Sequence, residues 1–173
     1  MDQEFKTPLA EPPGRSTQHV TVRPPTEDDV TGLAALFSEM QRHYRRPVTD
    51  QQALEAAQLA CKPPTTTFDP RVLIALQDGQ IVGSVVMNVT FPAYELTRAL
   101  YIRDLYVSAS ARRGGVGRAM VNAAARLTYA EGYSALDWTT EATNDAAQSM
   151  YESCGARLLA RFYYRLARED LIA

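Results

Sequence analysis

The stretch Ser108–Tyr133, SASARRGGVGRAMVNAAARLTYAEGY, sets two adjacent arginines and three glycines directly ahead of an alanine-rich run. The preceding segment, ALYIRDLYVS, reads as a strand. Behind the glycines a helix is expected from about Val116 to Glu131, with Val116, Met120, Ala124 and Leu127 on one stripe and Gly132 suited to its C-terminal cap. A strand, a tight glycine turn and a helix N-terminus together favour an anion, because unpaired N–H groups and the helix dipole converge there. Glycine removes the β-carbons that would hold an anion off the backbone. Arg112, Arg113 and Arg118 add charge that suits phosphate. The reading is a phosphate or pyrophosphate cradle, set against a plain flexible turn with solvated arginines.

Two kinds of cradle do not fit. A nucleotide-hydrolase loop needs Gly-Lys followed by Ser or Thr, whereas Gly117 is followed by Arg118-Ala119, with no hydroxyl for magnesium. A dinucleotide fingerprint aligned on Gly115 and Gly117 needs a small residue where Met120 stands, and the elements upstream do not form a βαβ unit.

Working outward, the segment RVLIALQDGQIVGSVVMNV is two β-rich runs about an Asp78-Gly79 turn, a hairpin signal. HVTVRP reads as a short strand that Pro24-Pro25 ends. Thr26 caps a helix whose first turn holds Glu27, Asp28 and Asp29. Val30, Leu33, Leu36, Phe37 and Met40 recur on one face of that helix. A second helix covers DQQALEAAQLA and stops at Pro63-Pro64. Beyond Tyr133, SALDWTT is expected as a strand, NDAAQSMYESCG as a short helix and LLARFYYRLAR as a last, alternating strand. The expected class is α+β: a mixed, mostly antiparallel central sheet with helices on both faces. Residues 1–18 are polar and proline-bearing and are expected to form a mobile tail, leaving one domain over 19–173.

Eighteen Lys and Arg against twenty Asp and Glu argue against a nucleic-acid or anionic-membrane binder. No apolar run is long enough to span a bilayer, and the N-terminus lacks the basic start and apolar core of a signal peptide. Cys61 and Cys154, the two cysteines, have no metal or redox spacing. They are expected as free thiols in a cytoplasmic setting, with no metal site.

Arg112-Arg113-Gly114-Gly115-Val116-Gly117, placed after RDLYVS, fits Arg/Gln-x-x-Gly-x-Gly/Ala and resembles the acetyl-CoA site of the GCN5-related N-acetyltransferase superfamily. Asn144, Ala147, Tyr151 and Gly155 match its second pattern, Asn-x-x-Ala-x-x-x-Tyr-x-x-x-Gly. The resemblance covers about residues 20–168. It implies that Leu105, Tyr106 and Val107 offer main-chain contacts to the pantetheine arm of acetyl-CoA, with a backbone amide near Leu105 or Val107 polarising the thioester carbonyl. The phosphates would lie against Arg112, Arg113, Gly114, Gly115, Val116, Gly117 and Arg118, with Asn144 and Ala147 on the opposite side. Tyr151 matches the tyrosine that protonates the leaving sulfur.

LYIRDLYV also resembles the diamine acetyltransferase branch, except that Arg103 stands where that branch has a glutamate. A cation there repels polyamines and suits a carboxylate-bearing acceptor. Asp104 and Glu141 are then the candidates for relaying the amine proton, each set against an ordinary surface ion pair. His43 and Tyr44, in MQRHYRRP, are candidates for reading the acceptor, set against a solvated basic turn. The expected activity is acetyl transfer to a small-molecule primary amine, with a homodimer as the expected assembly. Open beside it stand a protein lysine or N-terminal acetyltransferase, a non-catalytic acyl-CoA sensor, and a nucleotide-binding protein.

Overall fold

The computed structural model describes residues 19–46, 48–161 and 163–171; the expected N-terminal tail lies outside them. The elements run β1 (Thr21–Arg23), α1 (Val30–His43), α2 (Asp50–Ala60), β2 (Arg71–Gln77), β3 (Gln80–Thr90), β4 (Ala99–Val107), α3 (Val116–Ala130), β5 (Leu136–Trp138) and α4 (Asp145–Ser153). The strands lie side by side in chain order. β1 to β4 are antiparallel and β5 is parallel to β4. The α+β class with helices on both faces is therefore the observed one.

Local chemistry explains most boundaries. Asp78 (φ 49°) and Gly79 (φ 76°) supply the left-handed pair that a two-residue hairpin requires. Thr49 and Gln52 form a capping box at the start of α2. Before α1, the Asp29 carboxylate meets Arg23 at 2.6 Å and accepts from the Thr26 N–H at 2.7 Å. The Arg23 guanidinium, more than any other neighbour, holds it down at about 2.

Alternation along the strands gives two cores. On one face α3 presses Val116, Met120 and Ala124 onto Leu73, Val85, Met87, Leu100 and Ile102. On the other, Leu33, Leu36, Phe37 and Met40 of α1, with Ala57 of α2, cover Ile74 and Tyr106. Full burial of Leu33 or Met120 contributes about 1.5–3 kcal/mol each. Met120 explains its own misfit to a dinucleotide loop: it packs into the space beside Gly83, where a β-carbon would lie 3.0 Å from its methyl group.

One expectation fails. LLARFYYRLAR forms no strand among the described residues, and Tyr163 and Tyr164 both face solvent instead of lying on opposite faces of a sheet. Phe162 lies outside the described residues. Alternation records that a segment is two-sided, but a strand exists only where an edge pairs with it. β5 pairs with β4 over three rungs, and no further ladder forms beyond it among the described residues.

Candidate active site

β4 carries the site through a single irregularity. Its ladder with β3 runs from Thr90↔Ala99 to Met87↔Ile102 and resumes at Val86↔Asp104, so Arg103 is an extra, bulged residue. Before the bulge Leu100 and Ile102 face α3; after it Leu105 and Val107 do, while Tyr106 enters the α1 core. Asp104 thus shares the α1 face with Tyr106.

The bulge also parts β4 from β5. The last rung between them is Ile102↔Trp138, and from Arg103 onward β4 has no β5 partner. The Ser108 N–H donates to the Val82 carbonyl at 2.8 Å, which makes these two the directly opposed, hydrogen-bonded residues next to the Gly83↔Val107 pair. That bond fixes the rung pattern: the N–H and C=O of Leu105 and Val107 point into the gap, whereas those of Tyr106 point to β3. Of the three expected main-chain donors, two are so aimed.

The glycine loop closes one end of the gap. Arg113 (φ 64°) and Gly115 (φ 82°) are left-handed, and Gly115 is the N-cap of α3. Gly115 has no side chain with which to cap the helix. Its first internal bond is Ala119 N–H to Gly115 O at 3.0 Å, which leaves the N–H groups of Val116, Gly117 and Arg118 outside the ladder. At Gly117 a β-carbon would meet the Met150 methyl at 3.5 Å, toward α4. Gly114 packs 3.4 Å from the Ala111 carbonyl by the same measure. Arg118 reaches α4 and donates to Ser153 Oγ at 2.9 Å. Arg112 folds inward: Nε donates to the Val107 carbonyl at 3.1 Å, and its guanidinium stands 5.7 Å over the Tyr106 ring. Arg113 remains exposed.

Three titratable groups from distant segments act on one another electrostatically. Burial pushes the Asp104 carboxyl above its usual range, and Arg103 only partly offsets it. Tyr44, at the end of α1, is raised by burial and by the Asp104 charge. Tyr151, on α4, is raised by burial and by Tyr44. Trp138 holds the Tyr151 ring edge-on at 5.1 Å. Tyr151 and Trp138 also line a cavity of about 760 Å³ between β5 and residues 156–161. His43 joins through ring contacts with Tyr44 at 5.3 Å and Tyr106 at 5.8 Å. Tyr44 is thus the link between Asp104 and Tyr151.

Of the other expected residues, Glu141 and Asn144 are not among the groups that act on this cluster. Glu141 has an exposed side chain and contributes its carbonyl to the Asn144 N–H and to Gln148. Asn144 caps α4, its Oδ1 accepting from the Ala147 N–H at 3.2 Å. Arg103 is exposed at the bulge.

Sequence reasoning missed Glu39. From α1 its carboxylate accepts from Tyr106 Oη at 3.0 Å, Ser108 Oγ at 3.0 Å and the Ala109 N–H at 3.1 Å. Those bonds outweigh burial and leave its carboxyl below the usual range. Glu39 thereby ties the end of β4 and the first residues of the loop to α1. The one sequence signal was an acidic residue beside the buried Met40 and Phe37 on the apolar face of the helix.

The fold and its parted strands define an acyltransferase class. The chain belongs to the Acetyltransferase (GNAT) family, which matches residues 33–156, and is an acetyl-CoA-dependent acyltransferase. It is 29% identical over 136 residues to the uncharacterized N-acetyltransferase YhfO of Bacillus subtilis (strain 168), a match covering 79% of this chain and 89% of that one. It is 27% identical over 93 residues to the L-ornithine N5-acetyltransferase NATA1 of Arabidopsis thaliana, covering 54% of this chain and 40% of that one. A solved integron cassette protein from the mobile metagenome of V. cholerae superposes with a TM-score of 0.72 at 27% identity, covering 88% of this chain and 94% of the other. No helix among the described residues is long and apolar enough to cross a membrane.

Proposed function

We propose that this protein acetylates the primary amine of a small molecule by direct attack on acetyl-CoA, with Tyr151 as general acid and Asp104 as the group that takes the amine proton. The observation that carries this reading is the gap that opens after the Ile102↔Trp138 rung, with Asp104 two residues further along β4 and Tyr151 held against Trp138 at 5.1 Å. The residues fit the cofactor. The gap-facing main chain of Leu105 and Val107 suits an amide-bearing arm. The open N–H groups of Val116, Gly117 and Arg118, with Arg113 beside them, suit a pyrophosphate. When bound, acetyl-CoA supplies an activated acyl group.

The chain supplies the rest. An amine attacks only when neutral, and Asp104 both attracts the ammonium form and accepts its proton, directly or through one water. A gap-facing N–H from Leu105 or Val107 stabilises the developing oxyanion. The amine nitrogen bonds to the carbonyl carbon, the carbon–sulfur bond breaks, and the phenol of Tyr151 protonates the departing thiolate. Burial keeps that phenol protonated at working pH. Glu141, in solvent, is the weaker base candidate. Arg103, exposed beside Asp104, favours acceptors that bear a carboxylate, and the match to an ornithine acetyltransferase supports an amino-acid acceptor as the second form of this reading.

The test is thiol release from acetyl-CoA across amines, amino acids, polyamines and a lysine peptide at mildly alkaline pH. Turnover of a small amine or amino acid is expected. Turnover of the peptide alone would replace the small-molecule reading with a protein acetyltransferase.

A further inference from the structure

A second hollow, of about 430 Å³, opens between α2 and the sheet on the α1 face. Its walls are Phe37 of α1, Ala56 and Leu59 of α2 and Pro63 beyond it, and its floor is Val72 and Val86. Register fixes where it lies relative to the chemistry. Val72 pairs with Val86, and Val86 pairs with Asp104. The three side chains form one row on one face, because directly opposed residues point to the same side. With strands about 4.8 Å apart, the apolar floor begins one strand from the Asp104 carboxylate and extends to the next.

The hollow's polar groups lie among Lys62, Thr65 and Asp69. The Asp69 carboxylate is already taken up by the N–H groups of Thr65 and Thr66, each at 2.7 Å. Lys62 is exposed and adds a positive charge to the lining. A ligand whose amine rests at Asp104 would therefore extend over valines, leucine and proline toward a cation. A tail ending in a second ammonium meets Lys62.

Resting on acetyl transfer at Asp104, we infer that the acceptor is a primary amine with an aliphatic or aromatic tail, and that the Phe37–Leu59–Val86 hollow is the specificity pocket that holds this tail. Nothing in the cofactor half of the site requires the hollow, and its continuity with Asp104 through the Val72–Val86–Asp104 row assigns it to the acceptor.

The test measures kcat/KM for the full chain with ethylamine, butylamine, hexylamine and phenethylamine, and with 1,6-diaminohexane as the length-matched dication. A rise of about fourfold per added methylene is expected until the hollow is filled, with the diamine at least tenfold below hexylamine. Ala56→Phe, at an exposed helical position that faces the hollow, should flatten that rise. The readout is the slope along the series, so a general loss of folded enzyme does not imitate it. A flat series in the wild type, or a diamine equal to hexylamine, would overturn the assignment. If no amine turns over, acetyl transfer to small amines fails as a reading. Calorimetric binding of hexylamine to the CoA-loaded protein then decides the hollow separately: binding lost in Ala56→Phe supports it, and no binding to the wild type overturns it.

Discussion

The two sides of the gap are built in opposite ways. The proposed cofactor side is one contiguous stretch, Arg112 to Arg118, whose conformation follows from its own residues: left-handed Arg113 and Gly115, a helix start at a glycine, and glycines where neighbours approach. The side proposed to handle protons is assembled from Asp104 after the β4 bulge and Tyr151 on α4, with Tyr44 at the end of α1 between them. The first is set by local chemistry and the second by tertiary packing. Substitutions on the two sides should therefore separate into different kinetic signatures.

The largest effect is expected on the proton-handling side. Tyr151→Phe keeps the ring against Trp138 but removes the donor, so kcat should fall by about 10²–10⁴-fold. Acetyl-CoA binding, read by calorimetry, should hold. Full activity in this variant across pH would remove Tyr151 as the acid.

On the cofactor side Gly115→Val is the counterpart. A β-carbon there meets nothing within 4 Å, so the penalty is conformational. A β-branched residue at φ 82° costs about 1–2 kcal/mol or more, which the chain would relieve by changing the loop. KM for acetyl-CoA should rise about tenfold, with a smaller change in kcat. Equal losses in kcat and kcat/KM would mean that the loop serves the reaction itself and that the two sides are not separable.

The same contrast explains what was legible in the sequence. The Asp78-Gly79 hairpin, the α2 helix over DQQALEAAQLA and the start of α3 at Val116 are short-range events, and each falls where its residues say it should. The glycine loop stood out by its own strand-turn-helix chemistry, whereas Tyr151 became a candidate only through the spacing that a family resemblance supplied. The bulge at Arg103 was not legible, since nothing in LYIRDLYV marks which residue the β3 ladder will skip. Its consequence, turning Asp104 and Tyr106 together onto the α1 face, was hidden with it. Glu39 was invisible for the same reason: its partners Tyr106, Ser108 and Ala109 lie 67 to 70 residues away. LLARFYYRLAR failed in the other direction, since its alternation carried no information about a partner edge.

Glu39 lies between the two sides, because it binds α1 to the end of β4 and to Ser108 and Ala109, which lead into the glycine loop. Glu39→Ala should lower stability by about 1.5–3 kcal/mol, the worth of hydrogen bonds to a charged group, read as a fall in Tm. Glu39→Gln retains size and part of the bonding. It should raise KM for acetyl-CoA several-fold, through Ser108 and Ala109, while leaving kcat within about twofold. A fall in kcat at unchanged KM would place Glu39 on the proton-handling side through Tyr106.

The finest test concerns Asp104, whose shift has one sign for activity and the opposite for stability. Burial holds its carboxyl above the ordinary range, so the base form is lost, as pH falls, earlier than an ordinary carboxylate would lose it. The acidic limb of kcat/KM should sit correspondingly high, stay fixed when the acceptor amine is changed, and disappear in Asp104→Asn. A limb set by the amine would instead move with the pKa of each acceptor. For folding the linkage runs the other way. A carboxyl with a raised folded-state pKa binds its proton more tightly folded than unfolded, so it costs stability at neutral pH, and the cost fades as pH falls through that pKa. Asp104→Asn should therefore be slower yet slightly more stable than the wild type at pH 7, with the Tm difference closing in acid. A variant that lost activity and stability together would make Asp104 a structural residue of the bulge and pass the role of base to Glu141.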